Sequence, residues 1–329
     1  MNRDNRLDRF LDQRRKDRSM QRFLDKIKTG SRPHNILILG PYGAGKSSFI
    51  NTISTSFSGE WEPHAYAGNL GDVGSQTTFH IRTFNPKCCM TGNNRHNNYP
   101  TLIDTQGFDH NVQDVHRKLL ECLLNGYLTD GESIKKAAEV YEDFKNSGLH
   151  GEEGLQAEYA FFPKRKIKID RVIFLASAVT DPPLELLDLV RTTTNSPKRA
   201  IPLYGVLTHM DKVGGRQRAF DKCKQLFKCH LGLTNERFLE CTNYCDDLYS
   251  NESGQSHPSS LDIDIPVIEF MTEVCNPVTK AIHHEETQRC NPCLQAGIVM
   301  FSVFCLVFVA IILERPSDFN FKLLYSFWT

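Results

Sequence analysis

The sequence predicts an α/β fold with a mostly parallel sheet and helices on both faces. Four short apolar runs with no charge inside them are typical of buried strands. They are residues 35–39, 101–104, 171–177 and 202–208. Two helical patterns, at residues 112–124 and 184–190, lie between the later runs, and a third, at residues 220–226, follows the last run. This alternation favours a parallel sheet that is covered on both sides.

The chain begins with a basic segment, residues 1–29, that carries ten Lys and Arg against five Asp. Its apolar residues recur at the spacing of an amphipathic helix, and Gly30 and Pro33 predict the end of that helix. Packing against the following domain is the favoured interpretation, and contact with a membrane is the alternative. Over the whole chain 39 basic residues balance 39 acidic ones. The overall charge therefore does not predict nucleic acid as a partner.

Residues 33–285 are predicted to form the main domain. Residues 126–168 interrupt its strand and helix alternation, and we interpret them as an insertion beside the sheet. They contain a predicted helix at 132–144 and a Gly-rich turn around 148–154.

The C-terminal part of the chain predicts a membrane anchor. Residues 294–313 contain no charged side chain, and 20 residues of helix span about 30 Å, the thickness of the bilayer core. A buried core helix is the alternative, although such helices are usually shorter. Residues 286–293 would be a juxtamembrane linker and residues 314–329 a short tail. We therefore expect a single-pass, tail-anchored protein whose large domain faces the cytosol.

A phosphate-binding loop is predicted at residues 40–47, GPYGAGKS, which match the pattern GxxxxGKS/T. The loop lies between the first predicted strand and a helical stretch, as its mechanism requires. Backbone N–H groups and the helix N-terminus would surround the phosphates, Lys46 would neutralise their charge, and Ser47 would bind Mg²⁺. The residues predicted to bind phosphate are Gly40, Tyr42, Gly43, Ala44, Gly45, Lys46, Ser47 and Ser48.

A second element with the DxxG pattern ends the next predicted strand. Asp104 would hold Mg²⁺ through a water molecule, and the amide of Gly107 would contact the γ-phosphate. Between the two elements, residues 74–78 have the sequence GSQTT. Thr77 and Thr78 are both candidates for a Mg²⁺ ligand, and we assign Thr78, which would also support catalysis. An ordinary hydroxyl-rich turn is the alternative.

Base recognition is predicted at residues 205–211, GVLTHMD, which resemble the N/T-K-x-D element of guanine-binding proteins. The Asp211 carboxylate can accept hydrogen bonds from guanine N1–H and the 2-amino group, which adenine cannot supply in this arrangement. Thr208 precedes His209, which replaces the usual lysine and could lie over the base. Asn243 follows another apolar pair, Phe238 and Leu239, and could approach the guanine carbonyl. A plain surface turn is the alternative for Asn243.

The hydrolytic machinery is incomplete by sequence. In a Ras-type site a glutamine follows the DxxG glycine and orients the attacking water, and here that position is Phe108. Gln106, together with Lys46 and Thr78, is the remaining catalytic candidate. We expect slow intrinsic hydrolysis of GTP, aided by a protein partner or by a homodimer across the nucleotide.

With these motifs in order, the chain resembles the interferon-induced protein 44 family of GTPase-like proteins over residues 33–275. The motifs are GPYGAGKSSFIN, GSQTT, TLIDTQGF, VLTHMD and TNY. The resemblance implies a Ras-like G domain, binding of guanine nucleotide and a role in innate antiviral responses. The segment 294–313 lies outside the resemblance, and the helix at 1–29 need not correspond to the family's N-terminal region.

The favoured function is therefore a membrane-tethered GTP-binding switch that uses GTP, GDP and Mg²⁺. Two alternatives stay open: a tethered module that binds nucleotide without hydrolysing it or has lost it, and an ATP-using P-loop enzyme.

Overall fold

A computed structural model gives the structure of the protein. It describes residues 3–61, 64–65, 80–86, 98–108, 114–128, 130–155, 167–196, 200–245 and 260–276. Thr77, Thr78 and the predicted membrane segment 294–313, with its linker and tail, lie outside the described residues. Within the described ranges, no helix combines the length and the apolar character needed to cross a bilayer.

The central sheet confirms the predicted α/β class. Among the described residues, the strands are β1 (Asn35–Leu39), β2 (Arg82–Phe84), β3 (Thr101–Asp104), β4 (Arg171–Ser177), β5 (Leu203–Thr208) and β6 (Phe238–Glu240). They form one sheet in the order β2-β3-β1-β4-β5-β6. All neighbours are parallel except β2, which runs antiparallel to β3 at one edge. The four apolar runs predicted as strands are therefore β1, β3, β4 and β5.

Helices cover both faces of this sheet. In the described part of the chain they are α1 (Arg3–Lys28), α2 (Lys46–Ser58), α3 (Asp114–Leu124), α4 (Ile134–Asn146), α5 (Gly151–Leu155), α6 (Leu184–Thr194), α7 (Gln217–Leu231) and α8 (Leu261–Val274). The helix predicted at 220–226 is longer than expected, because Phe227 and Leu231 continue its buried face.

The predicted Gly-rich turn at 148–154 is wrong in its second half, which forms α5. A side chain at Gly151 would lie 2.7 Å from the ring of Tyr141, and one at Gly154 would lie 2.6 Å from the ring of Phe144. Both rings belong to α4. These two glycines therefore allow close packing of α5 on α4 and do not mark a turn.

The strands separate two apolar cores because successive side chains point to opposite faces. In β1, Ile36 and Ile38 join the core beneath α1, α2 and α8. Leu37 and Leu39 join the core beneath α3, α4, α6 and α7. A strand that is apolar on both faces is typical of the centre of a parallel sheet.

The second half of α1 belongs to the first of these cores. Phe23 is fully buried, and its ring stacks on that of Phe57 with centroids 4.6 Å apart. Leu24 and Ile27 are buried beside it. Phe10 and Leu11, in the first half of the helix, are exposed. The favoured interpretation of the leading helix, packing against the domain, therefore agrees with the structure in its second half.

We predict that Phe23→Ala lowers the free energy of unfolding by about 3–5 kcal/mol, because it removes a fully buried ring and leaves a cavity. The matched control is Phe10→Ala on the same helix, where the ring is 57% exposed; its expected effect is within about 0.5 kcal/mol. Urea denaturation of the full-length protein measures both. Equal effects of the two substitutions would contradict the packing described for α1.

Candidate functional site

The predicted site residues gather at one edge of the sheet. The P-loop follows β1, the DxxG element follows β3, the THMD element overlaps the end of β5, and residues 241–245 follow β6. Because these four strands are parallel, their carboxyl ends lie on the same side. This is the edge at which open parallel sheets bind ligands.

The P-loop is built by close backbone approaches. A Cβ atom at Gly40 would collide with the carbonyl oxygen of Leu175 in β4. Gly45 has φ +75°, and a Cβ atom there would lie 2.8 Å from Nδ2 of Asn243. Helix α2 begins at the next residue, Lys46. The N–H groups of the loop and the N-terminus of α2 thus form a cradle of the kind that binds phosphate.

The ammonium group of Lys46 lies inside this cradle. Its Nζ donates hydrogen bonds to the carbonyl oxygens of Gly40, at 3.3 Å, and Pro41, at 3.0 Å. Burial lowers the pKa of Lys46 to about 8, and the charge of Asp104 acts in the opposite direction. Because burial removes most of the water around this ammonium group, its electrostatic attraction to a phosphate oxygen would be strong.

Ser47 and Asp104 join the P-loop to the DxxG element. Ser47 Oγ donates to Asp104 Oδ2 at 2.8 Å. The other oxygen, Oδ1, is buried and accepts no hydrogen bond within the described part of the chain. Burial raises the pKa of Asp104, whereas Lys46 and the bond from Ser47 lower it. A hydroxyl and a carboxylate with a spare buried oxygen are hard oxygen ligands, and they fit Mg²⁺.

The DxxG element also contacts the loop through its backbone. The Phe108 N–H donates to the Gly40 carbonyl at 3.1 Å. A Cβ atom at Gly107 would lie 2.8 Å from the backbone nitrogen of Tyr42. Gly107 is therefore directly against the predicted phosphate site, and only a residue without a side chain fits there. The Phe108 ring is buried in the core below α3.

Gln106 is engaged with the insertion. Its side chain is 4% exposed, and Oε1 accepts a hydrogen bond from the N–H of Lys135 at 3.3 Å, in the first turn of α4. The insertion thus reaches the DxxG element directly. Sequence reasoning missed this contact, since no pattern links two residues 29 positions apart.

On the base side, Thr208 and His209 connect β5 to the P-loop and to β4. Thr208 Oγ1 donates to the Ala44 carbonyl at 2.9 Å. His209 has φ 59°, and its Nδ1 lies 3.1 Å from Ser177 Oγ. Burial lowers the pKa of His209, and Lys212 adds to that effect. The neutral form of the imidazole is therefore favoured. Asp211 is exposed in the 3₁₀ turn Met210–Lys212.

Asn243 is placed against the phosphate loop. Its side chain is buried, and Nδ2 donates to the Gly45 carbonyl at 3.1 Å. The alternative of a plain surface turn is therefore wrong at this position. Its contact with a guanine carbonyl stays a prediction, as do the roles of Asp211 and Thr78.

Two residues to which the sequence motifs assign no role complete this side of the site. The backbone N–H of Tyr244 donates to Oγ1 of Thr52 in α2 at 2.9 Å. Both side chains are buried. The sequence does not distinguish Thr52, because it is one of several Ser and Thr residues in α2.

We predict different costs for alanine at two P-loop glycines that both have positive φ, Gly43 at +70° and Gly45 at +75°. Gly43→Ala finds open space and should lose about 1–2 kcal/mol of unfolding free energy from backbone strain alone. Gly45→Ala should lose about 1–3 kcal/mol more, because its Cβ also meets Asn243. Urea denaturation measures both. An equal cost would show that Asn243 does not press on Gly45.

No protein-family model and no curated protein matches the chain. Several solved structures show a distant similarity. Toc33 from Arabidopsis thaliana in complex with GDP and Mg²⁺ has a TM-score of 0.40 and 15% identity, covering 79% of this chain and 91% of that one. A dimerization-deficient mutant of Toc33 has a TM-score of 0.42 and 16% identity, covering 82% and 95%. A probable GTP-binding protein, engB, has a TM-score of 0.29 and 14% identity, covering 63% and 88%. Values this low assign no ligand or residue role to this chain.

Proposed function

We propose that the protein is a membrane-tethered GTP-binding protein that works as a slow GTPase switch with Mg²⁺ as its cofactor. One observation carries the proposal: Ser47 Oγ lies 2.8 Å from Asp104 Oδ2, next to the buried ammonium of Lys46. The groups that would bind phosphate and metal thus lie close together, at the edge of the sheet where Asp211 would contact the base.

The phosphate half of the site rests on charge and backbone geometry. Lys46 would turn from the carbonyl oxygens of Gly40 and Pro41 to the β- and γ-phosphate oxygens. Mg²⁺ would supply the charge that neutralises those phosphates. Ser47 would bind the metal directly and Asp104 would hold it through a water molecule. Thr78, from the segment outside the described residues, would be a further protein ligand.

The guanine half of the site rests on four residues at the ends of β5 and β6: Thr208, His209, Asp211 and Asn243. Thr208 and Asn243 bond to the carbonyls of Ala44 and Gly45, so the base side and the phosphate side are fixed to each other. The exposed Asp211 carboxylate would accept the guanine N1–H and 2-amino hydrogen bonds. The neutral ring of His209 would lie over the base plane, where a flat apolar surface is needed.

Slow hydrolysis follows from the two residues around Gly107. Phe108 places its ring in the core, so it cannot orient a water molecule. Gln106 bonds to the insertion through Lys135 and would have to leave that contact in order to act. A residue from a partner protein, or from a second copy across the nucleotide, would then supply the missing assistance.

The membrane and biological assignments rest on sequence. The uncharged segment 294–313 has the length of a single bilayer span, which would leave the nucleotide site in the cytosol. The resemblance to the interferon-induced protein 44 family supports a role in innate immunity. A tethered module that binds GTP without hydrolysing it is the second candidate, and the position of Phe108 is the observation that favours it.

We predict that Asp211→Ala weakens GDP binding by the full-length protein by about 10- to 100-fold, because hydrogen bonds to an ionised carboxylate are lost. Affinity for ADP should change little. Asp221→Ala removes another exposed carboxylate, on α7, and should leave both affinities unchanged. Isothermal titration calorimetry in the presence of Mg²⁺ measures the affinities. An unchanged ratio of GDP to ADP affinity in Asp211→Ala would contradict the assignment of Asp211.

We predict that single-turnover release of phosphate from GTP proceeds on the order of 10⁻⁴ to 10⁻² per second, the range of G domains without an assisting residue or with partial assistance. Lys46→Ala should abolish this release, and Lys222→Ala, at an exposed lysine of α7, should not affect it. Rapid release that is equal in the unsubstituted protein and Lys46→Ala would contradict the switch. Tight GTP binding without any release would favour the second candidate.

A further inference from the structure

We propose that Lys16, Asp264 and Tyr244 form a positioning relay through which helices α1 and α8 hold the loop 241–245 against the P-loop. The inference rests on the proposed function, because it makes the relay a determinant of guanine-nucleotide affinity. None of the three side chains would touch the nucleotide, so they are positioning residues.

Asp264 is the centre of the relay. It lies in α8 and has no exposed surface. Its Oδ2 accepts from Lys16 Nζ of α1 at 2.6 Å, and its Oδ1 accepts from the hydroxyl of Tyr244 at 2.9 Å. A carboxylate at this depth is tolerated only when it is paired and its remaining oxygen is hydrogen-bonded. Both requirements are met here, so neither Lys16 nor Tyr244 can move away without leaving a buried charge poorly compensated.

Tyr244 transmits this constraint to the nucleotide side. Its hydroxyl donates to Asp264 and accepts from the backbone N–H of Ser260. Its backbone N–H donates to Thr52 of α2. The preceding residue, Asn243, donates to the Gly45 carbonyl in the P-loop. Because Asn243 and Tyr244 are adjacent, a displacement of the tyrosine ring shifts the residue that contacts the phosphate loop.

The relay is not needed to attach the helices to the domain. The buried side chains Phe23, Leu24 and Ile27 already anchor α1, and Val267, Ile268 and Met271 anchor α8. Replacing a buried ion pair by apolar residues is often neutral or stabilising. The pair of Lys16 and Asp264 is therefore expected to add little to the stability of the fold. Its directional hydrogen bonds instead restrict the position of Tyr244.

The chain offers a matched pair of tyrosines for the test. Tyr244→Phe removes one hydroxyl and keeps the ring. Tyr204→Phe is the control, since Tyr204 is also buried and its hydroxyl also contacts α8, at the Glu273 carbonyl, away from the P-loop. In the full-length protein we expect Tyr244→Phe to weaken GDP binding about two- to tenfold, because it removes the bond to Asp264 together with the contacts of the hydroxyl with the Ser260 backbone. Tyr204→Phe, which removes the bond to the Glu273 carbonyl, should leave GDP affinity unchanged.

A second pair tests the far end of the relay. Lys16→Met should weaken GDP binding in the same range, whereas Lys26→Met, on the same helix and bonded to Asn276 at 3.0 Å, should not. Should Lys16→Met fail to fold because Asp264 is left unpaired, the double substitution Lys16→Met with Asp264→Asn removes both charges. We expect the same loss of GDP affinity from it.

Trp61 gives a spectroscopic signature of the position of Tyr244, because the two ring centroids are 6.1 Å apart. In a Trp328→Phe background, its fluorescence should change in Tyr244→Phe and not in Tyr204→Phe.

The outcomes separate the relay from the proposed function. If Tyr244→Phe and Tyr204→Phe bind GDP alike, or Lys16→Met (or its double variant) binds like Lys26→Met, the relay is overturned while GTP binding stands. If the unsubstituted protein does not bind GDP, the proposed function fails and the relay fails with it.

Discussion

The hydrogen bond from Ser47 to Asp104 is the interaction on which the rest of the site depends. It joins the first turn of α2 to the end of β3, and it requires β1 and β3 to be neighbours in a fixed register, with Ile38 opposite Asp104. It also lies beside Lys46, so three charged or polar groups are buried where an apolar core would be more stable. Such an arrangement is expected where residues serve ligand binding at a cost to folding stability.

The surroundings of the P-loop explain how this loop is kept in shape. Its carbonyl groups accept from Thr208 at the end of β5, from Asn243 after β6 and from the Phe108 N–H after β3. Each contact comes from a different strand, so the loop is braced on several sides. The bonds of Asp264 extend this support to the helical layer behind the sheet. The candidate nucleotide site thus brings together elements that are far apart along the chain.

Much of the fold could be predicted from the sequence, because β1, β3, β4 and β5 are apolar runs with clear ends. The P-loop and Asp104 could be placed because their spacing follows from local chemistry. The α5 helix was missed, since Gly151 and Gly154 serve close packing and also look like turn residues. Contacts such as Gln106 with Lys135 or Tyr244 with Asp264 produce no periodic pattern in the sequence, because they join separate elements of the fold. The assignments of Thr78 and of residues 294–313 stay predictions.

The most direct measurement of the central claim is nucleotide competition on the full-length protein in the presence of Mg²⁺. A fluorescent GDP analogue is bound first and then displaced by unlabelled GTP or ATP. The account predicts that GTP displaces it at concentrations about 100-fold lower than ATP, because a site built to bond the guanine edge leaves polar groups unpaired with adenine. Equal displacement by the two nucleotides, or preferential displacement by ATP, would contradict it.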